Sequence, residues 1–291
     1  MKTLLLGVDG QLGNAFTKKL PTHWELFSLG KKDLDLERLE NIFPTILKYR
    51  PELIINCAAY TQVDAAETEQ NKCEVINSLA VNELAKASKI LGARLIHFST
   101  DYVFDGRRTS PYTEEDKPNP LSQYGKTKLA GEFCIIESGC EFLIFRTSWV
   151  FAKKGNNFVN KIDQLLKEKT EISIVNDQFG SPTSANFIAE TVVSCLLYSK
   201  LSSGIYNVCS AGHTSWFGLA QEYMSMCIKG SAGLSEYQCK RILGVPTSEY
   251  RTAAVRPKNS NLYCGKLFDQ IKNPHTSWQE QLRAEFFGKS E

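Results

Sequence analysis

The stretch Thr3-Leu4-Leu5-Leu6-Gly7-Val8-Asp9-Gly10-Gln11-Leu12-Gly13 opens the chain with a short apolar run followed by three glycines spaced three apart. Such a run reads as a buried strand, and the residues after Gly10 read as the start of a helix. Glycine between a strand and a helix permits a tight turn, backbone approach to a pyrophosphate and close helix packing. The helix N-terminus then offers its unpaired N–H groups to the phosphates. Gly7, Gly10 and Gly13, with Gln11 and Leu12 between them, are therefore candidate cofactor contacts. Asp9 is the discordant residue, because a carboxylate in this loop repels a pyrophosphate unless it turns to cap the helix.

Further apolar runs follow at Leu26–Leu29, Leu53–Cys57, Leu95–Phe98 and Phe142–Phe145. Helix-length segments, about Glu69–Leu91 and Tyr124–Glu137, separate the last three. Short buried strands alternating with amphipathic helices predict an α/β protein with a doubly wound parallel sheet of the Rossmann type. After Trp149 the rhythm loosens. Helices are expected at Asn156–Lys169, Asn186–Tyr198 and Ser215–Cys227, and strands at Ile172–Val175 and Ile205–Val208. These elements read as a smaller C-terminal substrate-binding lobe. The division is then 1–150 for the dinucleotide-binding Rossmann domain and 151–291 mainly for the lobe, with the chain recrossing between them. Ile228–Leu243 carries no clear pattern.

The chain's 291 residues suffice for one large domain and a lobe, and 42% hydrophobic with 23% charged residues excludes a disordered protein. A net charge of +2 with scattered basic pairs argues against nucleic acid. The N-terminal apolar run is too short for a signal peptide, and no stretch is long enough for a bilayer, so no membrane partner is expected. Nine cysteines, odd in number and without a Cys-x-x-Cys pair, predict a reduced, cytoplasmic protein. The four histidines show no metal-ligand spacing, and no metal is expected.

Tyr124 and Lys128 stand four apart, on one face of a predicted helix, and Ser99-Thr100-Asp101 follows the fourth strand. Reduction of a ketone by hydride requires an acid to protonate the developing alkoxide. Tyr124 suits that role if the Lys128 ammonium lowers its pKa, and Thr100 suits a hydrogen bond to the substrate carbonyl. After the second strand the sequence reads Gly30-Lys31-Lys32, without the acid that commonly holds a ribose diol. Lys31 and Lys32 suit a 2′-phosphate instead, so NADPH is the expected cofactor, preferred modestly, with NADH also admitted. The Gly-x-x-Gly-x-x-Gly spacing points to a short-chain dehydrogenase.

The chain resembles the dTDP-4-dehydrorhamnose reductase family of extended short-chain dehydrogenases. The matching segments are Gly7–Gly13, Asn56–Asp64, Ser99–Gly106, Tyr124–Glu132, Arg146–Phe151, Gly155–Phe158, Asn176–Thr183 and Arg256–Ser260. The resemblance implies Tyr124 as acid, Lys128 as its partner and Thr100 as hydrogen-bond donor. It places Asp35 and Leu36 near the adenine, and Ala59, Tyr60 and Thr61 over the middle of the dinucleotide. Asp101, Tyr102 and Trp149 would lie beside the sugar, with Asn157, Gln178 and Arg256 reaching toward the base or diphosphate. Two departures concern the cofactor: Asp9 replaces a residue more often neutral, and Gly30-Lys31 replaces an acid followed by a base. The implied partner is a dTDP-linked 4-keto-6-deoxysugar, and a homodimer is compatible with the sequence. The implied activity is reduction of dTDP-4-dehydro-6-deoxy-L-mannose to dTDP-L-rhamnose in lipopolysaccharide-type biosynthesis. Two alternatives stay open: a reductase of another 4-keto deoxysugar, streptose-type included, and a non-catalytic dinucleotide-binding subunit like that of methionine adenosyltransferase.

Overall fold

Successive residues of a strand point to opposite faces, and the first strand, β1 (Lys2–Leu6), is buried on both. Leu5 joins Ile55, Ile96 and Phe145 in one core, while Leu4 and Leu6 join Ile54, Leu95 and Ile144 in another. Each such side chain contributes about 1.5–3 kcal/mol over leaving it in water. A sheet with two apolar faces must be covered twice, and it is. In this computed structural model, which describes residues 1–229 and 237–288, helices lie on both sides.

The chain continues through α1 (Gln11–Lys19), β2 (Glu25–Leu29), α2 (Leu39–Tyr49), β3 (Leu53–Asn56), α3 (Gln70–Glu74), α4 (Ala80–Leu91), β4 (Arg94–Thr100), α5 (Gln123–Ser138) and β5 (Glu141–Thr147). Helix α1 covers the Leu5 face; α2, α4 and α5 cover the other. The single helix expected over Glu69–Leu91 is interrupted by one wide π turn, Val75–Leu79, between α3 and α4. Such turns often mark functional sites.

The second half holds β6 (Val150–Phe151), α6 (Phe158–Glu168), β7 (Glu171–Val175), β8 (Phe179–Gly180), β9 (Thr183–Ser184), α7 (Ala185–Tyr198), β10 (Gly204–Asn207), β11 (Thr214–Ser215), α8 (Trp216–Lys229), β12 (Arg241–Val245), α9 (Gly265–Phe268) and α10 (Trp278–Phe287). A lobe core of Val159, Ile162, Ile174, Leu219, Tyr223 and Leu282 joins α6, β7, α8 and α10. Two elements expected in the lobe belong instead to the main sheet. β10 pairs with β5, and α7, buried on most of its sides, packs on α1 through Ile188 and Val192. The reason is the open edge of β5, which needs a partner. Within 228–243, residues 230–236 lie outside the described residues, and β12 pairs in parallel with β7.

The six-stranded sheet has the order β10-β5-β4-β3-β1-β2, with every pair parallel. The chain leaves β1 toward β2 on one side and returns to β3 on the other. The strand order therefore reverses at β1, which opens a crevice at the carboxyl ends of β1 and β3. Gly7 sits there with φ +77°, and a Cβ on it would lie 2.6 Å from the Ala58 nitrogen. A Cβ on Gly13 would overlap the Gly7 carbonyl, whereas one on Gly10 would meet only that oxygen at 3.3 Å. The two positions should differ accordingly. Gly13→Ala is expected to lower unfolding free energy by about 1–3 kcal/mol, as overpacked substitutions do, and Gly10→Ala by clearly less. Urea denaturation of both variants checks this; equal costs would contradict it.

Candidate active site

A cavity of about 310 Å³ opens at that crevice. It is lined by Gly7 and Gly10 from the first loop, by Lys31, Asp35 and Leu36 after β2, and by Ala59, Tyr60 and Thr61 after β3. These eight residues, expected from the sequence to meet a cofactor, are brought together. Gln11, Leu12 and Gly13 lie on the first turn of α1 behind the lining. Helix α1 starts at Gly10 without any side-chain cap, so its first N–H groups have no intrahelical or side-chain competitor there. Asn77 in the π turn fixes the opposite wall: its Oδ1 accepts from the Tyr60 N–H at 2.9 Å, and its Nδ2 donates to the Tyr60 carbonyl at 3.0 Å.

Asp9 does not cap the helix. Its side chain turns toward the end of β2, where Oδ2 accepts from the Lys31 backbone N–H at 3.1 Å. Lys31 in turn donates from Nζ to Glu37 at 2.7 Å and stands 3.8 Å from Asp35. The bond to Glu37 raises the Lys31 pKa above its ordinary value. Its charge is thus already matched by carboxylates, which the sequence did not foretell. Lys32 is not part of the cavity lining.

The carboxyl ends of β4 and β5 carry the second half of the site. Thr100, the last residue of β4, accepts from the Tyr102 N–H at 3.2 Å and donates to Asp101 Oδ1 at 3.0 Å. Asp101 Oδ2 accepts from Ser148 Oγ at 2.8 Å. Burial nevertheless pushes the Asp101 carboxyl up to about 6, against the opposing hydrogen bonds from Ser260, Ser148 and Thr100. Ser122 caps α5 through the Gly125 N–H at 3.2 Å, which starts the helix so that Tyr124 and Lys128 follow on one face. The Tyr124 ring stands edge-on to Tyr102, with centroids 6.1 Å apart. Desolvation raises the Tyr124 pKa above the ordinary phenol value, and a hydrogen bond with Thr100 works the other way.

Lys128 is only 2% exposed. Its Nζ donates to the Phe98 carbonyl at 2.6 Å and meets His97 Nε2 at 3.1 Å. The chain extends inward: Asn56 Oδ1 accepts from the Ala58 N–H at 3.1 Å, which leaves the Asn56 amide to donate to His97 Nδ1 at 3.2 Å. The imidazole, kept neutral by burial and by Lys128, then carries its proton on Nε2. That proton faces Lys128 and favours an uncharged amine. Burial acts in the same sense and brings Lys128 down to about 8, with Glu132 opposing. The expectation that the ammonium lowers the Tyr124 pKa is therefore not met in this arrangement, because Lys128 is turned to Phe98 and His97. The His97 link was not legible in the sequence, since it joins β3, β4 and α5.

The remaining residues expected at the site lie outside that cavity's lining, on the lobe or at its border with the sheet. Trp149, in the left-handed region at φ +46°, stacks on Trp216 with ring centroids 3.3 Å apart. Trp216 was missed in the sequence, where it looked like one more apolar residue opening a helix. Gln178 accepts from Trp216 Nε1 at 3.2 Å and donates to Thr247 at 3.1 Å. Asn157 caps α6 through the Asn160 N–H at 3.0 Å and donates to Gln11 Oε1 at 2.7 Å. Arg256 forms a fork with Asp64 at 2.6 and 2.9 Å. The polar groups of Asn157 and Arg256 are thus occupied in tying the second half of the chain to the first, and those of Gln178 within the lobe.

The family described as "RmlD substrate binding domain" matches residues 1–287. The chain is similar to a dTDP-4-dehydrorhamnose reductase of Burkholderia thailandensis, 40% identical over 90% of both chains. It is similar also to that of Escherichia coli, 37% identical over 96% of this chain and 95% of that one. Among solved structures, the dTDP-4-dehydrorhamnose reductase of Bacillus anthracis in complex with NADP superposes with a TM-score of 0.87 at 36% identity, covering 98% of this chain and 99% of that one.

The lowered Lys128 pKa carries a stability signature. Between about 8 and the ordinary 10.5 the unfolded chain binds more protons at this lysine than the folded one, so stability rises with pH. Relative to Lys128→Met, the wild type should gain stability from pH 8 to pH 10, at up to about 1.4 kcal/mol per pH unit. Denaturant titrations at three pH values measure it. A flat difference would mean Lys128 is charged in the folded state throughout.

Proposed function

The chain belongs to the RmlD family of dTDP-4-dehydrorhamnose reductases, and on that premise we propose that it reduces dTDP-4-dehydro-6-deoxy-L-mannose to dTDP-L-rhamnose, with NADPH as reductant. The observation that carries this reading is the grouping of Tyr124, Thr100 and Lys128 at the sheet's carboxyl edge. It stands beside a crevice whose glycine turn and uncapped helix suit a dinucleotide.

The fit to the cofactor rests on the backbone. Gly10 leaves the turn bare where a pyrophosphate would meet the helix, and the crevice runs from the end of β2 to the residues after β3. Bound NADPH supplies the hydride for the 4-keto carbon. Tyr124 then provides the proton: its hydroxyl stays protonated in the desolvated site and is oriented by Thr100, so it is placed to protonate the alkoxide oxygen. Thr100, whose one hydroxyl proton goes to Asp101 here, would turn from that carboxylate to share the carbonyl oxygen as a second donor. Lys128, whose amine is turned to Phe98 and His97 here, would have to swing from those partners and take up a proton to hold the ribose hydroxyls and stabilise the tyrosinate left after proton transfer. Asp101 and Tyr102 border the sugar, and the Trp149–Trp216 stack forms an apolar wall. The Arg256–Asp64 pair bridges the C-terminal segment to the loop after β3, which keeps the two walls together.

Mixing the protein with NADPH and the 4-keto dTDP-sugar and following loss of the nicotinamide absorbance tests the reading. Tyr124→Phe should lower kcat about a hundredfold to ten-thousandfold while leaving fold and cofactor binding intact. Thr100→Val should lower kcat less, and Lys128→Met should weaken cofactor binding as well. A wild type without turnover would favour a binding subunit, and a Tyr124→Phe variant with near-normal kcat would remove Tyr124 from its role.

A further inference from the structure

At the end of β2, dinucleotide-binding sheets commonly place a carboxylate that takes the ribose 2′-hydroxyl of NAD. Here the position after Leu29 is Gly30, which has no side chain. The space is not empty. A Cβ on Gly30 would overlap the Asp9 carboxylate, which reaches across from the first loop. Gly30 has no left-handed φ, so backbone conformation does not demand glycine there; the volume taken by Asp9 does.

Asp9 is held where it is by one bond, Oδ2 to the Lys31 backbone N–H at 3.1 Å. Its other oxygen, Oδ1, has no hydrogen bond among the described residues, and Asp9 lines the cavity beside Gly10 and Gly30. The two cations that line the cavity are engaged: Lys31 Nζ bonds Glu37 at 2.7 Å, and Lys72 stands 4.0 Å from the same carboxylate. The carboxylates at this end of the crevice are Asp9, Asp33, whose Oδ2 accepts from the Gly30 N–H at 2.9 Å, Asp35 and Glu37, and the adjoining groove carries Lys32 and Arg38 beside Lys31. A 2′-phosphate, carrying about −1.5 to −2 charges near neutrality, meets the free Asp9 oxygen at the cavity wall itself. A ribose diol meets an acceptor for its O–H.

We propose that Asp9 is the cofactor-selecting residue of this chain, a carboxylate delivered from the glycine loop to the place normally served from β2. It binds the adenosine ribose hydroxyls of NADH and opposes the 2′-phosphate of NADPH, so that the chain accepts both cofactors. The inference rests on the dinucleotide reading of the crevice. It also replaces the Lys31–Lys32 pair as the determinant of cofactor choice.

The test is direct titration of the purified protein with NADH and with NADPH, read by nicotinamide fluorescence and by calorimetry, without sugar nucleotide. Asp9→Asn retains an acceptor for the Lys31 N–H and removes the charge. It should weaken NADH and tighten NADPH, moving the ratio of their dissociation constants at least tenfold toward NADPH. Asp9→Ala with Gly30→Asp returns a carboxylate to the end of β2 in the space vacated, and should restore the wild-type ratio to within about threefold. A ratio unchanged within twofold in Asp9→Asn would overturn the proposal. So would a double variant that binds as Asp9→Asn does. If neither nucleotide bound the wild type, the dinucleotide reading itself would fail, and the proposal with it.

Discussion

At the carboxyl end of β1, three stretches of backbone meet with no side chain between them: the Gly7 turn, the first turn of α1 at Gly13, and Ala58 after β3. This contact sets the angle at which α1 leaves the sheet and how near its N-terminus comes to the crevice. Added side chains at Gly7 or Gly13 force the three apart. The rest of the cofactor cleft is built outward from that point. Asn56, two residues before Ala58, accepts the Ala58 N–H, and Asn77 clamps Tyr60 from the π turn. The wall after β3 is thereby fixed by side chains from two separate elements.

The catalytic half is organised around burial of ionisable groups. Arg146 on β5 and Glu132 on α5 form a two-bond pair at 2.6 and 2.9 Å, with both residues at most 2% exposed. Removing two charges from water costs several kcal/mol per ion, and the pair's attraction offsets this only in good geometry. What the pair achieves is placement, because it ties the helix bearing Tyr124 and Lys128 to the strand that ends beside Ser148 and Trp149. Lys128 and Asp101 show the same trade. Each is shifted by burial toward its neutral form, Lys128 to about 8 and Asp101 to about 6, which lowers stability at neutral pH and leaves two groups able to change charge near it.

Much of this was legible in the sequence where the signal is local. The glycine spacing, the short apolar strands, and Tyr124 with Lys128 one helical turn apart each need only a few consecutive residues, and the parallel sheet followed from their alternation. What escaped depends on contacts between distant segments. Nothing in Ala185–Tyr198 says that it will return to pack on α1, and nothing in Trp216 says that it will stack on Trp149. His97 looked like an isolated core histidine, yet it links Asn56 to Lys128. Asp9 was legible as an oddity in the glycine loop. Its destination beside Gly30 was not, since that requires the register of β1 against β2.

The central claim is that hydride passes to a sugar carbon at the site formed by Thr100, Tyr124 and Lys128. The most direct measurement uses NADPH carrying two deuterons at nicotinamide C4 and follows one turnover of the 4-keto dTDP-sugar by NMR and mass spectrometry. The account predicts dTDP-L-rhamnose with one deuterium at sugar C4. Product lacking that deuterium, or no product from a folded protein that binds the cofactor, would contradict it.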